Sequence, residues 1–173
     1  MDLPNRKSIR LTGYDYSQLG YYFITICTAN RKCLFGDIIN NIMILNKYGQ
    51  IINNVWRSLP QHHQVKLDIF QIMPNHIHSI IINETGIARN APTDTKFGHV
   101  AAGTLSCVIR SFKSETSKQI HILTKKPYLT IWQRNYFEHI IRNENELNKT
   151  REYIKSNPSI WERDRNNPTN LRI

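Results

Sequence analysis

The feature that most constrains this chain is residues 73–82, MPNHIHSIII in one-letter code. In an extended strand successive side chains point to opposite faces, so His76 and His78 share one face while Ile77 and Ile81 face the other layer. The Pro-Asn pair before them predicts a tight turn. Two neighbouring imidazoles are natural ligands for one metal ion, although a strand with two unconnected histidines is the simpler interpretation of so short a motif. A metal site therefore requires further ligands from elsewhere in the chain.

Length and charge limit the class of protein. The 173 residues are the size of one domain, which we place over the whole chain, residues 1–173. The 23 Lys and Arg residues against 13 Asp and Glu residues give a net charge of +10, which predicts a polyanionic partner. No apolar segment has the length of a signal peptide or a membrane span. Three cysteines without Cys-x-x-Cys spacing indicate reduced thiols, so we expect a soluble cytoplasmic protein that meets no membrane.

The hydrophobic pattern predicts the order strand, helix, strand, strand, helix, strand, helix. The strands are expected at residues 21–28, 65–69, 76–82 and 131–136, the middle two forming a hairpin. The helices are expected to begin after the capping residues Asn46, Thr104 and Asn143, and prolines at 60 and 158 are expected to end the first and last. With right-handed crossovers this order fits an α+β, ferredoxin-like fold with a four-stranded antiparallel sheet and helices on one face. Residues 1–20 form a basic arm and residues 84–103 an irregular loop.

Two groups of residues are candidates for contact with nucleic acid. Arg110 and Lys113 fall on the polar side of the second helix, where a basic stripe is otherwise a solvated face. Trp132 and Arg134 combine an aromatic ring with a guanidinium group, the types that stack on bases and bind phosphates. Packing of Trp132 in the core is an equally good interpretation.

The closing helix carries Tyr153 and Asn157, which are four residues apart and therefore lie on one face. Placed opposite His76 and His78, they would complete a site. A metal between the imidazoles and Asn157 would polarise a phosphodiester oxygen, and Tyr153 would attack the phosphorus. Taken singly, Tyr153 is more simply a core tyrosine and Asn157 a helix-terminal residue.

Several separated motifs resemble one family. The segment Met-Pro-Asn-His-Ile-His at residues 73–78 looks like the His-hydrophobic-His motif of the HUH single-tyrosine transposases. Residues 132–139, WQRNYFEH, and 151–158, REYIKSNP, are similar to the REP-associated tyrosine transposase branch of that superfamily. Further matches lie at residues 10–16, 25–28 and 104–113. The resemblance covers nearly the whole chain, and residues 84–103 are its least characteristic part.

The resemblance implies a ferredoxin-like catalytic domain with Mg²⁺ or Mn²⁺, in a bacterial protein that acts on nucleoid DNA. It also implies cleavage and rejoining of single-stranded DNA beside a hairpin through a covalent 5′-phosphotyrosine, with a free 3′-hydroxyl. By this resemblance His76, His78 and Asn157 are metal ligands and Tyr153 is the nucleophile. Insertion-sequence relatives usually have Gln in place of Asn157, and two imidazoles also suit Zn²⁺, so the metal stays open. The arm with Arg6, Lys7 and Arg10 is expected to read the single strand beside the hairpin.

Three questions stay open at this point. A non-catalytic binder of hairpin or single-stranded nucleic acid would use the same sheet and charge without needing Tyr153 or a metal. A small metalloprotein with no nucleic-acid role fits the charge poorly. The sequence does not distinguish a monomer from a homodimer, or show whether the Tyr153 helix completes its own site or a partner's.

Overall fold

The computed structural model describes residues 18–84 and 104–170. Residues 1–17 of the predicted arm, with Arg6, Lys7 and Arg10, and all of the predicted loop 84–103 except its first residue lie outside the described residues. In chain order the elements are β1 (Gly20–Cys27), β2 (Gly36–Ile39), β3 (Ile42–Leu45), α1 (Lys47–His62), β4 (Val65–Ile72), β5 (His76–Asn83), α2 (Leu105–Thr124), β6 (Phe137–Ile141) and α3 (Glu144–Ser156). A 3₁₀ helix, Asn157–Arg163, follows α3 directly.

The predicted fold class is confirmed. Four antiparallel strands form one sheet in the order β4-β5-β1-β6. Alternation along β1 and β5 sends Tyr22 and Ile77 into the larger core, which they share with residues of α1 and α2. Ile80 points to the opposite face and packs with Leu147 and Ile154 of α3. The helix that carries Tyr153 therefore covers the face of the sheet that α1 and α2 do not.

The three predicted helix starts are confirmed by their caps. Asn46 Oδ1 accepts hydrogen bonds from the backbone N–H groups of residues 48 and 49, and Asn143 Oδ1 accepts one from Glu146. Thr104 Oγ1 accepts from Cys107 N at 3.4 Å. The predicted end at Pro60 is wrong, because α1 continues to His62. A proline in the last turn removes only the bond that its own N–H would donate, so two more residues stay helical.

The predicted strand at residues 131–136 is also wrong, because the last strand is β6, Phe137–Ile141. Trp132 forms only an isolated bridge with Thr28. The carbonyls of residues 133–135 accept hydrogen bonds from the ammonium group of Lys113, at 2.8, 3.5 and 3.0 Å. This segment is thus held by a side chain of α2, although its aromatic residues had suggested a strand.

A two-stranded sheet of β2 and β3 was not predicted. Its turn residues Asn40 and Asn41 both have positive φ, 50° and 62°. Asparagine tolerates this region, which two-residue hairpin turns require. None of the helices in the described ranges is both long and apolar enough to cross a membrane.

Candidate active site

Two buried imidazoles form the centre of the candidate site. His76 and His78 begin β5 on the face toward α3, and they are 0 % and 1 % exposed. Their Nε2 atoms lie 3.0 Å apart. The two histidines therefore share one face of the strand, as the alternation of side chains predicts, and both rings direct their Nε2 atoms to one point.

The tautomer of His76 follows from its neighbour Asn75. The Nδ2 group of Asn75 donates to the carbonyl of Arg31 at 2.9 Å and to that of Asn166 at 2.7 Å, which fixes the orientation of the amide. Its Oδ1 atom, an acceptor, then faces Nδ1 of His76 at 2.8 Å. Nδ1 must carry the proton, and Nε2 keeps a free lone pair. An outer partner of this kind is what orients a metal-binding histidine.

His78 has a matching partner on the neighbouring strand. Thr25 lies directly across from it in β1, and its Oγ1 atom is 2.8 Å from Nδ1 of His78. When this Nδ1 donates to Thr25, Nε2 is again the free nitrogen. The pair of hydrogen bonds thus allows both Nε2 atoms to act as ligands together.

Burial keeps both imidazoles neutral. Burial, together with the positive charges of Arg31 and Arg165, lowers the pKa of His76 to about 3. Burial, with the adjacent His76, also holds the pKa of His78 well below its ordinary value. Neutral imidazole is the form that binds metals, so the site can bind a cation near pH 7 without first losing a proton.

A third group at the site, Asp164, was missed by the sequence analysis. Its Oδ2 atom lies 3.8 Å from Nε2 of His76, and the residue is 7 % exposed. Candidate ligand atoms of His76, His78 and Asp164 all lie within 4.8 Å of one another. Asp164 follows the 3₁₀ helix after α3 and comes to β5 only through the folded chain. No local sequence pattern could have indicated it.

Tyr153 reaches the same point from α3. Its hydroxyl oxygen lies 3.3 Å from Nε2 of His78, and the residue is 38 % exposed, so one side of it faces solvent. Burial of the hydroxyl raises the pKa of Tyr153, and the charge of Asp164 raises it further, while Asn157 and Arg165 act in the opposite direction. The phenol is therefore a weaker acid than usual and needs a positive charge beside it to react as phenolate.

Asn157 is fully buried next to this group. Neither atom of its side-chain amide makes a hydrogen bond of good geometry in the described part of the chain, although the amide is close enough to the Tyr153 hydroxyl to lower the pKa of that group. Leaving a buried amide unpaired costs roughly 1–3 kcal/mol, so an additional partner is expected there. Two free imidazole nitrogens, a buried carboxylate and an unpaired amide oxygen fit a divalent cation.

Two polar contacts hold α3 on the sheet. Arg151 donates to Oδ2 of Asp68 from Nη2 at 2.6 Å and from Nε at 3.0 Å. Asp68 lies in an irregular part of β4, where the register with β5 shifts between Leu67 and Phe70. Glu146 pairs with His139 of β6 at 2.6 Å. Tyr153 is thus positioned from both ends of its helix against its own sheet.

The residues predicted to contact DNA are placed differently from one another. Arg110 and Arg134 are exposed, and Arg134 lines an open cavity of about 570 Å³ together with Arg31. Trp132 is 7 % exposed and donates its indole N–H to Thr116 Oγ1 at 2.9 Å, and Lys113 is occupied by backbone carbonyls. These contacts assign Trp132 and Lys113 to the packing of the fold and leave the two arginines as DNA candidates.

The chain is similar in sequence to two proteins of one organism and in fold to a solved structure. No family model matches the chain. It is 39 % identical over 169 residues to an uncharacterized protein of Haemophilus influenzae, covering 94 % of this chain and 93 % of that protein. It is 24 % identical over 145 residues to another protein of that organism, provisionally named a REP-associated tyrosine transposase, covering 83 % and 73 %. A solved REP-associated tyrosine transposase bound to a REP hairpin has the same fold, with a TM-score of 0.58 and 20 % identity over 87 % of this chain and 73 % of that one.

Proposed function

We propose that the chain is a member of the REP-associated tyrosine transposase branch and a metal-dependent enzyme that cleaves and rejoins single-stranded DNA at hairpin sites. The proposal is supported by its similarity to a relative provisionally named as such and by the fold that it shares with a solved one. The observation that carries the proposal is the position of the Tyr153 hydroxyl, 3.3 Å from Nε2 of His78. A nucleophile, two neutral imidazoles and a carboxylate meet at one partly open point. A binder that did not react with DNA would have no need of this arrangement.

Tyr153 is the nucleophile of the proposed reaction. Its oxygen forms a bond to the phosphorus and the bond from phosphorus to the 3′ oxygen breaks. The phenolic proton passes to solvent, and the released 3′ oxygen takes a proton from solvent. The products are a 5′-phosphotyrosine and a free 3′-hydroxyl. Since one phosphoester replaces another, a 3′-hydroxyl can later attack the phosphotyrosine and restore the DNA strand without external energy. The 38 % exposure of Tyr153 gives the DNA access to it.

Mg²⁺ or Mn²⁺ is the proposed cofactor, and His76 and His78 are its proposed ligands. When bound, the cation polarises a phosphate oxygen and favours the phenolate. Asp164 and Asn157 are the candidates for the remaining protein ligands. The carboxylate is already turned toward His76, and the unpaired amide oxygen of Asn157 gains a partner if it also binds.

Hairpin DNA is the proposed partner. The solved relative is bound to a REP hairpin, and the net charge of +10 suits a polyanion. Arg110 and Arg134 are the proposed phosphate contacts on the described surface, and Arg6, Lys7 and Arg10 stay proposed contacts to the single strand beside the hairpin. Because Tyr153 lies against its own His78, the site is proposed to work within one chain, as a monomer or in each subunit of a homodimer.

A cleavage assay tests the proposal. Single-stranded hairpins with varied flanking sequence are incubated with the protein and Mn²⁺ or Mg²⁺, and the ends of the products are identified. We expect cleavage with a free 3′-hydroxyl that stops on chelation and is lost in His76→Gln. Tight hairpin binding that is indifferent to chelation, with no cleaved strand across the panel, would instead establish the non-catalytic binder.

A further inference from the structure

An open groove lies between β6 and the N-terminal half of α3. We call it the β6–α3 groove; it has a volume of about 570 Å³ and is lined chiefly by Phe23, His139, Arg142, Glu146, Lys149 and Tyr153. One end of this groove is the proposed nucleophile itself. We propose that the β6–α3 groove binds the single-stranded DNA segment next to the scissile phosphate, an inference that rests on the proposed function.

The floor of the groove is aromatic because α3 covers only part of the sheet. The helix lies chiefly against β4 and β5, and along the groove it leaves part of the α3 side of β1 and β6 uncovered. Phe23 lies there with its ring centroid 6.1 Å from that of Tyr153 and 6.2 Å from that of Phe137. Phe137 is 44 % exposed. Exposed aromatic rings beside a basic groove are what single-stranded DNA uses for stacking, whatever its sequence.

The charge of the groove is positive. Glu146 is the acidic residue of the lining, and both its oxygens are occupied: Oε1 is 2.6 Å from Nε2 of His139, and Oε2 accepts from the backbone N–H of Arg142 at 2.9 Å. The side chains of Arg142 and Lys149 are exposed along the same groove. Two cations over an aromatic floor match a phosphate backbone with unpaired bases.

The dimensions agree with a strand that ends at the nucleophile. Lys149 is one turn before Tyr153 on α3, and Arg142 lies just before the helix begins. At about 1.5 Å per helical residue the groove runs roughly 16 Å from Arg142 to Tyr153. A short single-stranded segment laid along it brings a phosphodiester to the tyrosine hydroxyl.

The test measures binding of a short fluorescein-labelled oligothymidine, which forms no hairpin, by fluorescence anisotropy over a range of salt concentrations. The double variant Arg142→Ala/Lys149→Ala is compared with Lys47→Ala/Lys118→Ala, which removes the same charge from exposed positions of α1 and α2 on the other side of the sheet. All proteins also carry Tyr153→Phe, so that binding is measured without reaction. We expect the groove variant to bind more weakly, with a salt slope shallower by about 1.4, since each single-strand phosphate contact contributes about 0.7. The control variant should keep the slope.

Equal losses in the two double variants would overturn the proposal, because they would show a general charge effect. Phe137→Leu tests base stacking separately, since it removes the ring and keeps an apolar side chain. Roughly ten-fold weaker binding of the oligothymidine supports stacking on Phe137, and unchanged affinity contradicts it. The proposed function is judged separately, by cleavage in proteins that retain Tyr153. Cleavage that is undiminished in the groove variant would reject the groove alone, whereas groove-dependent binding without any cleavage would reject the transposase chemistry alone.

Discussion

The Oδ1 atom of Asn75 lies 2.8 Å from Nδ1 of His76, at the turn that joins β4 to β5. Because the amide of Asn75 is fixed by two backbone carbonyls, we expect metal-free His76 to carry its proton on Nδ1. ¹⁵N NMR of the imidazole at neutral pH measures this directly. Asn75→Ala should allow both tautomers and weaken Mn²⁺ binding by about 10–100-fold. A proton found on Nε2 in the unsubstituted protein would contradict this role of Asn75.

Stability should fall as the pH is lowered through the ordinary titration range of histidine. The pKa of His76 is about 3 in the folded chain, whereas unfolding returns it to about 6.5, so the unfolded state binds the proton first. Stability therefore rises with pH between these two values, and His76 alone removes about 2 kcal/mol between pH 7 and pH 5. Urea unfolding with a chelator present measures the effect. His76→Gln/His78→Gln should show a flatter dependence on pH, and an identical dependence would refute the assignment.

The contact between Arg151 and Asp68 should matter for activity more than for stability. Asp68→Asn removes the charge that holds α3 over β4, so we expect slower cleavage through misplacement of Tyr153, with Mn²⁺ affinity unchanged. Because the pair is partly exposed, the loss of unfolding free energy should stay below about 1 kcal/mol. Glu84→Gln is the matched control, since it breaks the exposed pair of Glu84 with Lys66 of β4, which does not involve α3. Equal cleavage rates in the two variants would show that the Asp68 contact does not position the tyrosine.

Lys113 should stabilise the fold without contacting DNA. Its ammonium group donates to the carbonyls of residues 133–135, and burial lowers the pKa of Lys113 to about 8. Lys113→Met keeps the apolar stem and leaves those carbonyls without their donor, which should cost about 1–3 kcal/mol in chemical unfolding. Hairpin affinity of the folded variant should be unchanged at neutral pH, while Arg110→Met on the same helix should weaken it. The reverse order of affinities would restore Lys113 as a phosphate contact.

Local signals made much of the fold predictable. Each helix begins after a capping residue that bonds to backbone N–H groups two or three positions later, namely Asn46, Thr104 or Asn143. The alternation of residues 76–82 predicts a strand with two different faces. The pair Asn40-Asn41 between short apolar runs is an equally local signal for the β2–β3 hairpin, and it was overlooked.

The remaining features depend on contacts between distant parts of the chain. Trp132 looked like a strand residue, but its ring fills the core beside Phe35 and Phe112. Asp164 reaches His76 only because the chain turns back after α3, and no spacing in the sequence encodes this approach. The partners of the histidines, Thr25 and Asn75, become recognisable only when the register of β1 and the turn before β5 are known.

The most direct test of Tyr153 as the nucleophile is mass spectrometry of the protein after incubation with hairpin DNA and Mn²⁺. We expect a covalent DNA adduct on the peptide that contains Tyr153, absent after chelation and absent in Tyr153→Phe. That result would establish the hydroxyl beside His78 as the nucleophile. An adduct on another residue, or one that persists in Tyr153→Phe, would contradict the assignment of Tyr153 and with it the proposed active site.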